Sequence, residues 1–236
     1  MILVGILDIS GLGQCPGLET LLGDEETERL LKIKNADVRS LSLCSRILLS
    51  KMYEERYNKK IPKICYTEKG KPYFENDTCC FSISHSDNFV VVALNENNSV
   101  GVDIQSFDNN LYVRERLEKR FLSKLPPNFR EEYGENSEKE KNHEVNFEFF
   151  EVRQNEKLEI VKKEDVHFLE NTAKDENENF LLRWTSLEAI LKLSGGGFGD
   201  LKNVNCYLHN SKIKTHFFQH GGVSFAVSVA FSENKN

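Results

Sequence analysis

The chain has 236 residues, 39% hydrophobic and 29% charged, with a formal net charge of −6 at pH 7. That length suits one large domain or two small packed ones around a substantial core. The acidic balance gives no support for a general nucleic-acid or anionic-membrane binder, although it leaves room for a local basic pocket, and no apolar run is long enough to span a bilayer.

The opening "MILVGILDIS" is apolar but short, lacks a positive leader and contains Asp8, so it reads as a first strand and not a signal peptide. The six cysteines are then expected to be reduced thiols in a cytoplasm, used mostly as small packing residues, since their spacings match no zinc pattern. Residues 26–57, "ETERLLKIKNADVRSLSLCSRILLSKMYEERY", read as a helical region with Leu41, Ile47 and Leu48 at apolar spacing. "YTEKGKPYF" is turn-rich, and Gly70 and Pro72 should present Lys71 on a loop.

"CCFSISHS" is an extended stretch, "NFVVVALN" a buried strand, and "SVGVDIQ" another in which Val100, Val102 and Ile104 point one way and Asp103 the other. "NENN" between the last two is a good short hairpin loop. If residues 95–98 form it, Asp103 falls opposite Val90, which places Ser84, His85 and Asp103 in one polar cluster at the end of the hairpin.

"LYVRERLEKRFLS" continues as a basic helix. From 126 to 179 Glu, Asn and Lys dominate; 126–145 reads as a solvated insertion, and the alternation of Phe147, Phe149 with Leu158, Ile160 suits a short hairpin. "RWTSLEAILKLSGGG" at 183–197 is an apolar helix that ends in glycines, with Glu188 and Lys192 one turn apart on one face. The chain closes on strands in "KIKTHFFQHGGVSFAVSVAFS". This order predicts an α+β fold with antiparallel sheets.

Asp103 and Glu188 are the carboxylates set in the most apolar surroundings. Two carboxylates sharing a site repel, and a hard divalent ion resolves the conflict; magnesium suits one or two carboxylates together with phosphate oxygens. Lys71, His85, Lys192 and the pair Arg39 and Arg46 are candidate phosphate ligands. Plainer readings stand beside these: a strand-end turn cap for Asp103, an i,i+4 pair for Glu188 and Lys192, a packed histidine for His85, and surface arginines.

"GKP" at 70–72, "FSISHS" at 81–86, "VGVDIQ" at 100–105, "EKRFLS" at 118–123 and "WTSLEAILK" at 184–192 stand in the order seen in 4′-phosphopantetheinyl transferases, and the chain resembles the larger, surfactin-synthetase-activating type. The resemblance implies two pseudo-twofold related halves (1–99 and 100–236, the second with a polar insertion at about 126–179), each a small antiparallel sheet packed on a long helix, with coenzyme A in a cleft between them. It implies a magnesium-dependent enzyme that moves the phosphopantetheine arm of coenzyme A onto a serine of an apo acyl, peptidyl or polyketide carrier protein, releasing adenosine 3′,5′-bisphosphate.

By motif position, Asp103 and Glu188 match metal-binding carboxylates, with Gln105 where a third acid commonly stands. Lys192 and His85 match phosphate contacts, Lys71 and Ser84 further coenzyme A contacts, and Arg39 the arginine on the nucleotide phosphate. Glu188 resembles the base that takes the serine proton. Leu187 stands where the family usually has lysine, which removes a charge expected beside the diphosphate. A monomer in the cytoplasm is expected, with no nucleic-acid or membrane partner. The alternative is a degenerate relative that binds coenzyme A or a carrier without transfer.

Overall fold

The computed structural model describes residues 1–10, 12, 24–106, 111–125, 129, 145–154, 158–163, 168–169 and 175–232. It is an α+β protein whose chain divides into two compact units, one of residues 1–97 with 145–166, the other of residues 98–144 with 167–236.

The first unit is built on a five-stranded sheet. Its strands are β1 (Ile2–Asp8), β4 (Cys79–Ser86), β5 (Phe89–Glu96), β7 (Val145–Gln154) and β8 (Leu158–Lys163), in the order β4-β5-β1-β7-β8. A separate hairpin, β2 (Ile64–Tyr66) with β3 (Pro72–Phe74), carries the Lys71 loop. The opening apolar decapeptide does form the first strand, paired antiparallel to β5.

The expected helical region is two helices, α1 (Asp24–Leu31) and α2 (Ala36–Tyr57). The break falls at Asn35, whose side chain accepts from the amides of Asp37 and Val38 at 2.9 and 3.1 Å and so caps α2. Leu41, Cys44, Leu48 and Met52 recur at helical spacing along α2, and they bury against Leu7, Phe81, Val90, Val92 and Phe150 of the sheet.

The second unit has a four-stranded sheet of β6 (Val100–Ser106), β9 (Phe168–Leu169), β10 (Ser211–His220) and β11 (Val223–Ser232), in the order β6-β11-β10-β9. Its helices are α3 (Leu111–Arg120), α4 (Glu176–Ser194) and the short α5 (Val204–Leu208). α4 is capped at both ends: the Asp175 carboxylate accepts from the amides of Asn177 and Glu178, and Gly195, at φ 74°, ends the helix in the left-handed conformation. Trp184 stacks within an aromatic group of Phe121, Phe180 and Phe198.

Three expectations change. β5 and β6 do not form a hairpin: β5 pairs with β4 and β1, while β6 pairs with β11, placing Asp103 opposite Ser228 and Val90 opposite His85. The register that put Asp103 beside Ser84 and His85 therefore fails. The local turn chemistry of "NENN" is sound but says nothing about which strand β6 joins.

The sheets are also not purely antiparallel, because β7 runs parallel to β1. The polar stretch from 126 to 179 is structurally divided: β7 and β8 form the expected hairpin but extend the first sheet, β9 edges the second, and Phe129 is fully buried in the second unit's core. The rest of the solvated stretch expected at 126–144 lies outside the described residues.

Among the described residues no helix is long and apolar enough to cross a membrane, and no cysteine forms a disulfide.

Candidate active site

The second unit brings Asp103, Glu188 and Lys192 together. β6 is buried on both faces; Val100, Val102 and Ile104 fill one side, and Asp103, 2% exposed, stands on the other. Gly101 shares Asp103's face, and a Cβ there would lie 2.0 Å from the Ala189 carbonyl oxygen and 2.4 Å from the Leu193 amide nitrogen. Only glycine lets the backbone of α4 lie so close to β6. That contact falls on the turn of α4 that carries Glu188 and Lys192.

Lys192 Nζ donates to Asp103 Oδ1 at 2.6 Å, with side-chain exposures of 31% and 3%. Glu188 is pushed up from 4.5 to about 8, chiefly by burial and then by the negative charge of Asp103; Lys192 opposes the shift, and a hydrogen bond to Asp103 adds to it. Asp103, which is buried, and Glu188, which is half-buried, thus share one site whose surroundings favour a proton on Glu188. Lys192 does not simply pair with Glu188 one turn back along the helix, since its ammonium reaches across to β6.

The oxygen donors suit a hard divalent cation, whose charge would relieve the repulsion that raises Glu188. Gln105 lies two residues beyond Asp103 on the same strand face; its amide nitrogen donates to Ser106 O at 3.4 Å, and its amide oxygen is the donor it offers to a metal. Among the described residues no group of three or more His, Cys, Asp and Glu stands where it could hold a metal.

The remaining candidates belong to the first unit. Ser84 is buried and His85 exposed, on opposite faces of β4 near its end. Lys71 closes the β2–β3 loop, with its amide donating to Thr67 Oγ1 at 3.0 Å; burial pushes its ammonium down, opposed by the neighbouring Cys80. Arg39 stands in the first turn of α2 and donates from Nη1 to Ile33 O at 2.8 Å.

Arg46 is engaged within the fold. It is buried, its Nε donating to Glu26 at 2.9 Å and its Nη2 to the Tyr66 hydroxyl at 3.2 Å, so it ties α1 and the β2–β3 hairpin to α2.

Leu187 is fully buried in the apolar core of the second unit, among Leu122, Trp184, Leu191 and Phe217. A leucine suits this position as part of that core. The glycines after α4 also have structural duties: Gly195 caps the helix, and a Cβ on Gly196 would overlap the Asp200 carboxylate.

Sequence reasoning missed a set of buried hydroxyls beneath α4. Thr185, Ser186, Thr215 and Ser228 are all buried, and Thr185 and Thr215 each lie 2.6 Å from Ser228 Oγ. It also missed Gly101, although a lone glycine within a strand pattern signals close backbone approach.

Asp103, Glu188 and Lys192 are thus brought together where a long helix is pressed on a sheet. A family profile described as "4′-phosphopantetheinyl transferase, N-terminal" matches residues 17–97. The matched stretch holds Arg39, Lys71, Ser84 and His85, and it ends where the chain leaves the first unit. The chain is also similar to the 4′-phosphopantetheinyl transferase AcpT of Escherichia coli O157:H7, 27% identical over 157 residues, a match covering 66% of this chain and 60% of that protein. Both matches are thus to 4′-phosphopantetheinyl transferases, one across the first unit and the other at low identity.

Proposed function

We propose that the protein transfers the 4′-phosphopantetheine arm of coenzyme A to a serine hydroxyl of an apo carrier protein, with magnesium, releasing adenosine 3′,5′-bisphosphate. The observation that carries this reading is the cluster of the buried Asp103 on β6 with the half-buried Glu188 and Lys192 on α4.

Asp103 and Glu188 would hold the cation, with Gln105 as a weaker oxygen donor, and the cation when bound offsets negative charge on the diphosphate. Lys192 stabilises the same charge as it grows on the leaving nucleotide. Glu188 accepts the proton of the attacking serine, whose hydroxyl is a poor nucleophile until a base within reach takes it. The serine oxygen forms a bond to the β-phosphorus of coenzyme A, and the bond from that phosphorus to the oxygen of the nucleotide's 5′-phosphate breaks. Lys71, Ser84, His85 and Arg39 are assigned to coenzyme A by motif position. Two halves with pseudo-twofold kinship, each a sheet with one long helix, would accompany this reading, as would a monomer.

Incubation with coenzyme A, Mg²⁺ and several apo carrier proteins, followed by weighing the carriers, tests the proposal. A carrier gaining the phosphopantetheine mass supports it. Coenzyme A binding with no mass gain on any carrier would favour a relative that binds without transfer, for which Leu187 in place of lysine and Gln105 in place of a third acid are the grounds.

A further inference from the structure

The buried hydroxyls beneath α4 form an ordered chain. Thr185 has one hydroxyl proton, and the Leu181 carbonyl 2.8 Å away can only accept, so Thr185 donates there. Ser228 must then donate to Thr185, and Thr215 to Ser228, each at 2.6 Å. Ser186, 3.4 Å from both Thr215 and Ser228, completes the group more loosely. Such a network is costly to bury unless satisfied, and once satisfied it holds its members in one arrangement.

Its location is what matters. Thr185 lies three residues before Glu188, so both face the same side of α4. Ser228 sits directly opposite Asp103 in the β6–β11 ladder, so both face the same side of the sheet. The contact of Thr185 with Ser228 therefore runs alongside that of Glu188 with Asp103. The first joins two neutral hydroxyls; the second brings two carboxyl groups together. Gly101 supplies the close approach, but a smooth glycine contact does not by itself stop the helix from sliding along the strand.

We propose that Thr185 and Ser228 are positioning residues for the metal-binding carboxylates, their 2.6 Å hydroxyl contact fixing the register of α4 on β6 and β11 and so the spacing of Glu188 from Asp103. This rests on the reading of that pair as a magnesium site.

The test is a thermal-shift titration with MgCl₂ at saturating coenzyme A, which reads the Mg²⁺ concentration at half-effect without any turnover. Ser228→Ala and Thr185→Val should each require about tenfold more Mg²⁺, the lower end of what loss of a ligand-orienting group costs. Thr185→Ser, which keeps the hydroxyl, should behave as the native protein. Leu208→Ala, a core change in the same unit outside the hydroxyl group, should lower the melting temperature and leave the Mg²⁺ midpoint unmoved.

A Ser228→Ala protein that melts earlier but responds to Mg²⁺ at the native concentration would overturn the proposal, and Thr185→Val carries the same comparison should Ser228→Ala fail to fold. A native protein stabilised by coenzyme A yet indifferent to Mg²⁺ would overturn the metal reading itself, and the positioning role with it.

Discussion

Both units lay a long helix on a sheet at a glycine, but the two contacts are built from different materials. In the first, α2 meets β1 at Gly5, where an added Cβ would strike the Met52 sulfur at 2.4 Å, and the surrounding residues (Leu48, Phe81, Val90, Phe150) are apolar. In the second, the neighbours of Gly101 are backbone atoms, and the contact encloses two carboxylates, a lysine and four hydroxyls. A core chosen for stability alone would resemble the first, because buried charge and hydroxyls gain little over well-packed hydrocarbon. Two carboxyl groups held together at the second contact depart from that pattern, in the way perturbed groups do where they cluster at functional sites.

The largest effect that could break this comparison comes from Glu188→Gln. Transfer should fall by a factor of about 10³, within the range for loss of a general base together with a metal ligand, as measured by carrier mass. The same variant should be more stable than the native protein at pH 8 in metal-free buffer. The unfolded carboxyl titrates near 4.5 and the folded one near 8, so between those values the unfolded chain has released a proton that the folded protein keeps. Folding stability therefore declines as pH rises through that window. Glutamine escapes the decline, so its advantage in melting temperature should shrink toward pH 4.5. Equal melting temperatures at pH 8 would mean that the second contact is no more strained than the first.

Leu187→Lys comes next. It restores the residue the family usually carries, yet here it would place an ammonium in a fully buried apolar site. The expected outcome is a loss of about 3–5 kcal/mol, the scale of an uncompensated buried charge, read from urea unfolding; native-like stability would show that residue 187 can reach a polar environment.

The glycine pair then sharpens the comparison directly. Gly101→Ala should cost about 3 kcal/mol, since helix backbone must move, and Gly5→Ala about 1 kcal/mol, since a flexible thioether can turn aside. Gly101→Ala should also weaken the Mg²⁺ response. Equal costs at the two glycines would remove the distinction between backbone and side-chain contact.

Asp103, Glu188 and Lys192 were legible in the sequence because charge inside an apolar run needs an explanation, and the helix period alone put Glu188 and Lys192 on one face. Their meeting with Asp103 was not derivable from local pattern, since β6 pairs with β11 near the far end of the chain. The hairpin drawn through "NENN" failed for the same reason, as did any notice that β7 would lie parallel to β1. Alternation identifies a strand and its two faces but carries no address for its neighbour. Thr185 and Ser228 escaped attention because hydroxyl residues are ordinary on helices and strands; the only trace was Ser228 interrupting "FAVSVAF", where every other side chain is apolar. The full burial of Leu187 was legible in part, because it lies in the apolar run that covers most of α4.

The smallest effect tests whether the first unit is as purely structural at its rim as at its core. Glu26 accepts from Arg46 at 2.9 Å and from the Tyr66 hydroxyl at 2.7 Å, and Arg29 lies 3.8 Å over the Tyr66 ring. These contacts tie the β2–β3 hairpin to both helices, and that hairpin carries Lys71. Tyr66→Phe removes two charge-assisted hydrogen bonds, one donated to Glu26 and one accepted from Arg46, but keeps the ring and its arginine; at this half-exposed position water replaces part of what is lost, so the cost in stability should be about 1 kcal/mol. If the clamp serves only to hold the fold, coenzyme A affinity measured by calorimetry should stay at the native value. A weakened affinity with unchanged Mg²⁺ midpoint would instead mean that the clamp sets the Lys71 loop, and that each unit devotes one buried polar group to placing its own share of the ligands.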